Sequence, residues 1–252
     1  METVMRKPFQ GVINIIRFNW HFYLIALVLI GALAMANSFL TEDIQWIIPA
    51  LIILAILSIT ISLGISYYVY DYSNIYSLDW LQPLNIPGGS RLVNIHAGFD
   101  ETSHLLAKLY TTSTLQVFDF YDPLKHTEVS IERARKLYTA YPDTKKIETI
   151  FIPLAANSAD YIFNIFAAHE MRDAAERVIF LKQLHTSIKP EGRVIVLEHL
   201  RDLPNFIAYN IGFFHFHSRK EWKRNFADAD FTLEHELSLT PFLALFILRK
   251  KS

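Results

Sequence analysis

At 252 residues the chain has room for one catalytic domain and a short appendage, and is tight for two domains. A hydrophobic content of 52% and a mean hydropathy of +0.21 exceed what a globular domain in water needs, which assigns part of the apolar sequence to lipid. Lys+Arg 24 against Asp+Glu 25 gives no electrostatic case for nucleic acid, and the absence of cysteine excludes disulfides, thiol catalysis and cysteine-ligated zinc.

In residues 1–19, Phe9, Val12, Ile13 and Ile16 share one face at helical spacing, with Arg6, Asn14 and Arg17 elsewhere. This predicts an amphipathic segment that lies along a membrane surface or simply caps the first apolar run. Residues 20–72 hold two uncharged runs, Phe22 to Leu40 and Ile47 to about Tyr70, each long enough to cross a bilayer as a helix of about 20 residues. The short acidic turn at Glu42 and Asp43 makes them an antiparallel hairpin. Arg6, Lys7 and Arg17 precede the first run and no basic residue lies in the turn, so the N-terminus and everything after the second run are expected on the cytoplasmic side of an inner membrane. Ala34-Met35-Ala36 has the form of a signal-peptide cleavage site, but the run is too long and a second one comes after it.

Residues 73–90, with the Pro- and Gly-bearing SLDWLQPLNIPGGS, read as a linker, and 91–252 as an α/β domain. Short apolar runs at Leu92–Ile95, Leu115–Phe120, Ile147–Ile152, Tyr161–Phe166 and Arg193–Glu198 alternate with helical patterns, predicting a mostly parallel, Rossmann-like sheet. Phe231–Leu239 and Pro241–Leu248 have no helix between them and read as a C-terminal antiparallel hairpin.

In such sheets ligands bind where the strands end. The first strand runs into HAGFDETS, with a lone Gly98 and with Asp100, Thr102 and Ser103 able to cap the next helix. The G-x-G-x-x-G of a dinucleotide site is missing, which argues against NAD; a cofactor without phosphates, such as S-adenosylmethionine, needs only one close-approach glycine. The second strand ends VFDFYD, where Asp119 is the first choice to accept from two ribose hydroxyls, and Asp122 reads equally as a turn residue before Pro123.

From Leu92 to Lys250 the chain resembles class I S-adenosylmethionine-dependent methyltransferases of the small-molecule branch related to quinone and sterol methyltransferases. The resemblance rests on VNIHAGFDETS in place of the glycine loop, VFDFYDP at the acidic second strand, IPLAANSADYIFNIFAAHEMRD around the fourth strand, and SIKPEGRVIVLEHLRD at the turn into the fifth. HAGFDETS, FDFYDP, HTEVSIERAR, AAHEMRD and EHLRDLPNFIAYNIGFFHFHS, together with the N-terminal hairpin, are similar to the membrane methyltransferases of flexirubin-type aryl-polyene pigment pathways in Bacteroidetes. The resemblance implies a seven-stranded sheet, a lipophilic aromatic or phenolic acceptor, and S-adenosyl-L-methionine held by Asn94, His96, Gly98, Asp100, Thr102, Asp119, Phe120, Asp122 and Glu148. The sequence departs from the pattern at Asn94, where many members are acidic, and at His96 and Asp100, which replace glycines. A quinone or phospholipid acceptor, or a non-catalytic membrane scaffold, is the alternative.

Methyl transfer from a sulfonium needs alignment, exclusion of water and, for a phenol, removal of a proton, but no metal. Phe99, Phe120 and Tyr121 are aromatic side chains able to face the sulfonium. Candidate bases are His169, then His199, then His215, with His217 nearby and Glu170, Glu198, Arg201 and Asp202 as partners that hold them. A divalent metal on His215, His217 and a carboxylate is the rival reading; the i, i+2 spacing suits a strand, and the surrounding sequence reads as helical.

Overall fold

The structure is a computed structural model that describes residues 6–126 and 128–251. Its first helix, α1 (Gln10–Asn37), joins the amphipathic segment and the first apolar run into one element, kinked at Asn19 (φ −115°, ψ 18°). The Asn19 amide donates to the Ile15 carbonyl at 3.0 Å, a local bond of the kind that bends helices. Helix α2 (Ile47–Tyr67) runs into a π-helical turn at Tyr68–Tyr72. Both helices are long and apolar enough to cross a membrane, and leave Leu27, Val28, Met35, Ile53 and Leu54 exposed.

The start of α1 is docked on the end of α2. Asp71 accepts from the backbone N–H of Gly11 at 2.8 Å and of Val12 at 2.9 Å, satisfying two donors that a helix start leaves orphaned. A β-carbon at Gly11 would collide with that of Tyr70, so only glycine permits this approach.

The strands are β1 (Arg91–His96), β2 (Thr114–Asp119), β3 (Lys145–Lys146), β4 (Ala159–Ile165), β5 (Ile188–His199), β6 (Phe231–Thr240) and β7 (Leu243–Lys250). They form one seven-stranded sheet in the order β3-β2-β1-β4-β5-β7-β6. β1 to β5 are parallel and the C-terminal hairpin is antiparallel, as expected. The crossovers carry α3 (Ser103–Leu109), α4 (Val129–Leu137) and α5 (Ala174–Ser187), followed by α6 (Leu203–Tyr209) and α7 (Arg219–Asp228). Val194 to Leu197 of β5 are fully buried, because both faces of a mostly parallel sheet are covered.

The third strand differs from its prediction. Only Lys145 and Lys146 pair with β2, and Ile147–Ile152 turns back on itself through a Glu148–Phe151 bridge. Its partner runs out: the last bond is from Ile147 N to Asp119 O at 3.0 Å, where β2 ends, and this edge has no second neighbour among the described residues.

Phe180, Leu184, Trp222 and Phe226 from α5 and α7 pack on one face of the sheet. On the other, Val69, Ile75, Leu78 and Leu81, from the π-helical turn and the stretch read as a linker, join Leu106 of α3 against Leu92, Phe163 and Ile195. That stretch is therefore a structural layer, and it brings the foot of the hairpin directly onto the sheet.

His199 fastens this junction. Its Nδ1 lies 3.0 Å from both the Asn205 Oδ1 and the Phe242 carbonyl, which are acceptors, so Nδ1 carries the proton and Nε2 accepts from the Tyr70 hydroxyl at 2.7 Å. Burial, against the smaller opposing pull of Asn205, lowers its pKa to about 3. The unfolded chain takes up a proton near pH 6.5 that folded His199 refuses until about pH 3, so its contribution is intact above that window and is lost as pH falls through it. Unfolding of detergent-solubilised protein is expected to lose about 2 kcal/mol more between pH 7 and 5 than His199→Gln loses. Parallel pH profiles would contradict the assignment.

Candidate functional site

A cavity of about 220 Å³ lies at the C-terminal ends of β1 and β4. One side is formed by His96, Ala97 and Thr102 after β1, Ile165 and Phe166 at the end of β4, and His169 and Glu170 just beyond. Asn14, Ile15, Phe18 and Asn19 of α1 close the other side, with Tyr70 from the foot of α2.

A polar network holds this wall in place. The Arg6 guanidinium pairs with Glu101 at 2.7 Å, donates to the Tyr70 carbonyl at 3.0 Å and stacks 3.5 Å over the Tyr76 ring, whose hydroxyl donates to Glu101 at 2.8 Å. Further along α1, the Tyr138 hydroxyl donates to Asn14 at 2.8 Å and Arg133 to the Phe18 carbonyl at 2.5 Å. These wall residues were not among the candidates from sequence: Arg6 entered there only in the amphipathic pattern and the topology, and Tyr70 only as the end of the second apolar run.

The first loop is built around two side chains. The Asp100 Oδ1 accepts from the backbone N–H of Thr102 and Ser103, both at 2.9 Å, which caps the start of α3. The Asn94 amide donates to Thr102 Oγ1 at 3.1 Å and Ser103 Oγ at 2.8 Å, tying β1 to the same cap. Gly98 sits at φ +91°, and a β-carbon there would meet Arg135 at 2.9 Å and Tyr121 at 3.0 Å.

Of the nine residues expected around a cofactor, His96 and Thr102 line the cavity, with Asn94 in β1 just before it and Gly98 and Asp100 in the loop that follows. Asp119 lies at the end of the adjacent strand, in register with His96, but its carboxylate is engaged: Arg135 donates to it at 2.5 Å and the Tyr121 N–H at 2.9 Å. Phe120 points into the core, 5.5 Å from the Phe180 ring centroid, and Asp122 caps its own turn by accepting from Leu124 N at 2.9 Å. Glu148 is exposed in the turn that replaces the predicted strand.

The histidines occupy three different settings. His169 directs Nδ1 at Glu198 Oε2, 2.6 Å away, and lies with Nε2 3.2 Å from Glu170 Oε1. Burial opposes the charge on this ring, but Glu198 and Glu170 together outweigh it and raise the pKa to about 10. His215 presents Nε2 to the same Glu170 oxygen at 3.1 Å and Nδ1 to Glu128 at 3.0 Å, while His199 stands behind two lining residues, bonded to Tyr70 and stacked on Phe166.

His217 faces elsewhere. Its Nε2 accepts from the fully buried Arg177 at 2.8 Å, and burial with that neighbouring charge lowers its pKa to about 4. His215 ends a short 3-10 turn and His217 bridges Leu200 in extended backbone, so the rings diverge and the metal set of His215, His217 and a carboxylate is not assembled. Beside this segment, Leu203, Phe206, Ile207, Ile211 and Phe214 are exposed, and α6 packs against α2.

Neither a protein-family model nor a curated protein sequence matches the chain. Solved structures do match its coordinates. A S-adenosylmethionine-dependent methyltransferase from Aquifex aeolicus aligns at 17% identity over 68% of this chain and 88% of its own, with a TM-score of 0.50. The geranyl diphosphate C-methyltransferase of Streptomyces coelicolor, solved with Mg2+, geranyl diphosphate and S-adenosyl-L-homocysteine, aligns at 14% over 71% and 79%, with a TM-score of 0.52. A family 2 O-methyltransferase from Planctomyces limnophilus, solved with apigenin, aligns at 14% over 77% and 60%, with a TM-score of 0.50. At these identities the likeness is one of architecture: the sheet from β1 to β7 and its helices have the class I S-adenosylmethionine-dependent methyltransferase fold.

Proposed function

We propose that this chain is a membrane-anchored S-adenosylmethionine-dependent methyltransferase, with its N-terminus and α/β domain in the cytoplasm, that acts on a lipophilic aromatic or phenolic acceptor. The observation that carries this reading is the shared wall of the cavity, with strand ends of a methyltransferase fold on one side and the feet of two apolar helices on the other. A bilayer-dissolved acceptor has the shortest path to such a cavity, and the exposed apolar face of α6 extends the same surface. The resemblance to aryl-polyene pathway enzymes agrees with it, as do the terpenoid and flavonoid ligands of two structural neighbours.

The residues present fit the cofactor. Asn94 Oδ1, His96 Nε2 and Asp100 Oδ2 are buried with no hydrogen-bond partner among the described residues, the last two facing each other at 4.0 Å, which leaves them able to bond a ligand's amino-acid end. They and Thr102 would hold the amino-acid end, and Asp119 would receive the ribose hydroxyls once Arg135 releases it. When bound, S-adenosylmethionine supplies an electrophilic methyl group on a sulfonium. The chain's own part is to hold the acceptor among Ile15, Phe18, Phe99 and Phe166, away from water. At the polar end of the cavity, Glu170 is placed to take a phenol's proton, and His169 to donate a hydrogen bond to the oxygen left behind.

A non-catalytic scaffold is the second reading, favoured by the Asp119–Arg135 pair, which fills the ribose position with a side chain. Calorimetry with S-adenosyl-L-homocysteine separates the two. The wild type is expected to bind, Asp119→Ala to bind roughly 10- to 100-fold more weakly, and Arg135→Ala at least as tightly as wild type; no binding at millimolar ligand would support the scaffold. With labelled S-adenosylmethionine and lipid extracts, His169→Ala is expected to lower turnover about 100-fold or more while cofactor affinity stays within a few-fold. Unchanged turnover would remove His169 from the chemistry.

A further inference from the structure

We propose that His169, Glu170 and His215 form a binding site for one divalent transition-metal ion at the polar end of the cavity. The three residues come from two segments, the turn after β4 and the 3-10 turn after α6, and their nearest ligand atoms lie within 4.8 Å of one another. The edges to Glu170 Oε1 are 3.2 Å from His169 Nε2 and 3.1 Å from His215 Nε2. Neighbouring ligands bound about 2.0–2.2 Å from one ion lie about 3.0–3.4 Å apart, so these edges need little adjustment.

The surrounding carboxylates make the set more specific than three clustered side chains. The His169 Nδ1 is hydrogen-bonded to Glu198 at 2.6 Å, and the His215 Nδ1 lies 3.0 Å from Glu128. Both rings therefore turn Nε2 toward the same Glu170 oxygen. A carboxylate behind the far nitrogen is the arrangement that fixes tautomer and orientation in metal-ligating histidines. Three carboxylates, Glu128, Glu170 and Glu198, surround the two imidazoles, so the cluster favours added positive charge. A divalent ion supplies it. Two imidazoles and one carboxylate suit zinc, iron or manganese and leave coordination positions open.

Among the described residues, Arg172 is the group that competes. Its guanidinium lies 3.1 Å from His215 Nε2 and 3.0 Å from Glu128, but its side chain is 43% exposed and can swing into solvent. His169 and Glu170 line the cavity, so the open positions would face an acceptor; with the ion bound, it and not the His169 N–H would polarise the acceptor oxygen and ease its deprotonation. That role rests on the methyltransferase reading; binding of the ion does not.

The test uses the full chain in detergent, stripped with a chelator and titrated with Zn2+ by calorimetry and with Co2+ by visible spectroscopy. One Zn2+ per chain is expected. His215→Ala and Glu170→Gln should each weaken binding by more than the roughly 10- to 100-fold loss expected for Glu128→Gln, which removes only an orienting partner. Arg172→Ala should bind more tightly than wild type. Co2+ should give visible bands in the wild type that His215→Ala lacks, and melting of the metal-free variants checks that they are folded. Less than one equivalent of Zn2+, or equal affinity in wild type and His215→Ala, overturns the site. S-adenosyl-L-homocysteine binding measured on the same samples tests the cofactor reading separately.

Discussion

The site depends on the anchoring of α1 at its N-terminal end. Arg6 joins the chain start to Glu101 in the first loop of the α/β domain, and Asp71 joins the first turn of α1 to the end of α2. The Arg6–Glu101 pair is largely buried, with side-chain exposures of 20% and 13%, so breaking it by removing one partner leaves a poorly solvated charge. Tyr76 sits against both partners, under the guanidinium and bonded to the carboxylate, which gives the pair the extra contacts it needs to offset desolvation. Without this anchorage the strand ends of β1 and β4 would open to solvent on the side now closed by Asn14, Ile15 and Phe18.

The same junction explains why the polar end of the cavity is so highly organised. β5 ends in the consecutive residues Glu198 and His199, whose side chains point to opposite faces as strand geometry requires. Glu198 goes to His169 and His199 to Tyr70, so one strand end supports both the ionised cluster and the aromatic wall. His215 enters from the segment after α6, which itself packs on α2. Each wall of the cavity is thereby tied to the hairpin.

Much of the fold was legible because its signals are local. β1, β2, β4 and β5 lie close to their predicted apolar runs, and β6 and β7 lacked a helix between them, so the mixed sheet followed from spacing alone. Ile147–Ile152 misled, since an apolar run looks like a strand whether or not it has a partner, and here β2 ends first. The site was legible in outline only. The Asp100 cap and the positive φ of Gly98 follow from residue type and position, but the Arg135 that occupies Asp119 was invisible as a partner. Tyr138 and Asn14 are 124 positions apart, and no periodicity links them. The i, i+2 pair His215 and His217 sits in sequence that reads as helical, whereas the backbone turns extended at Phe216 and sends one ring to Glu170 and the other to Arg177.

The most direct measurement is whether the α1 wall of the cavity is docked and faces lipid. The chain has no cysteine, so Ile15→Cys carries a nitroxide label at a single position. In reconstituted vesicles the account predicts an immobilised spectrum with collisions dominated by oxygen dissolved in the bilayer. A freely tumbling label relaxed mainly by a water-soluble nickel complex would show the wall undocked and the cavity open to water, contrary to the account.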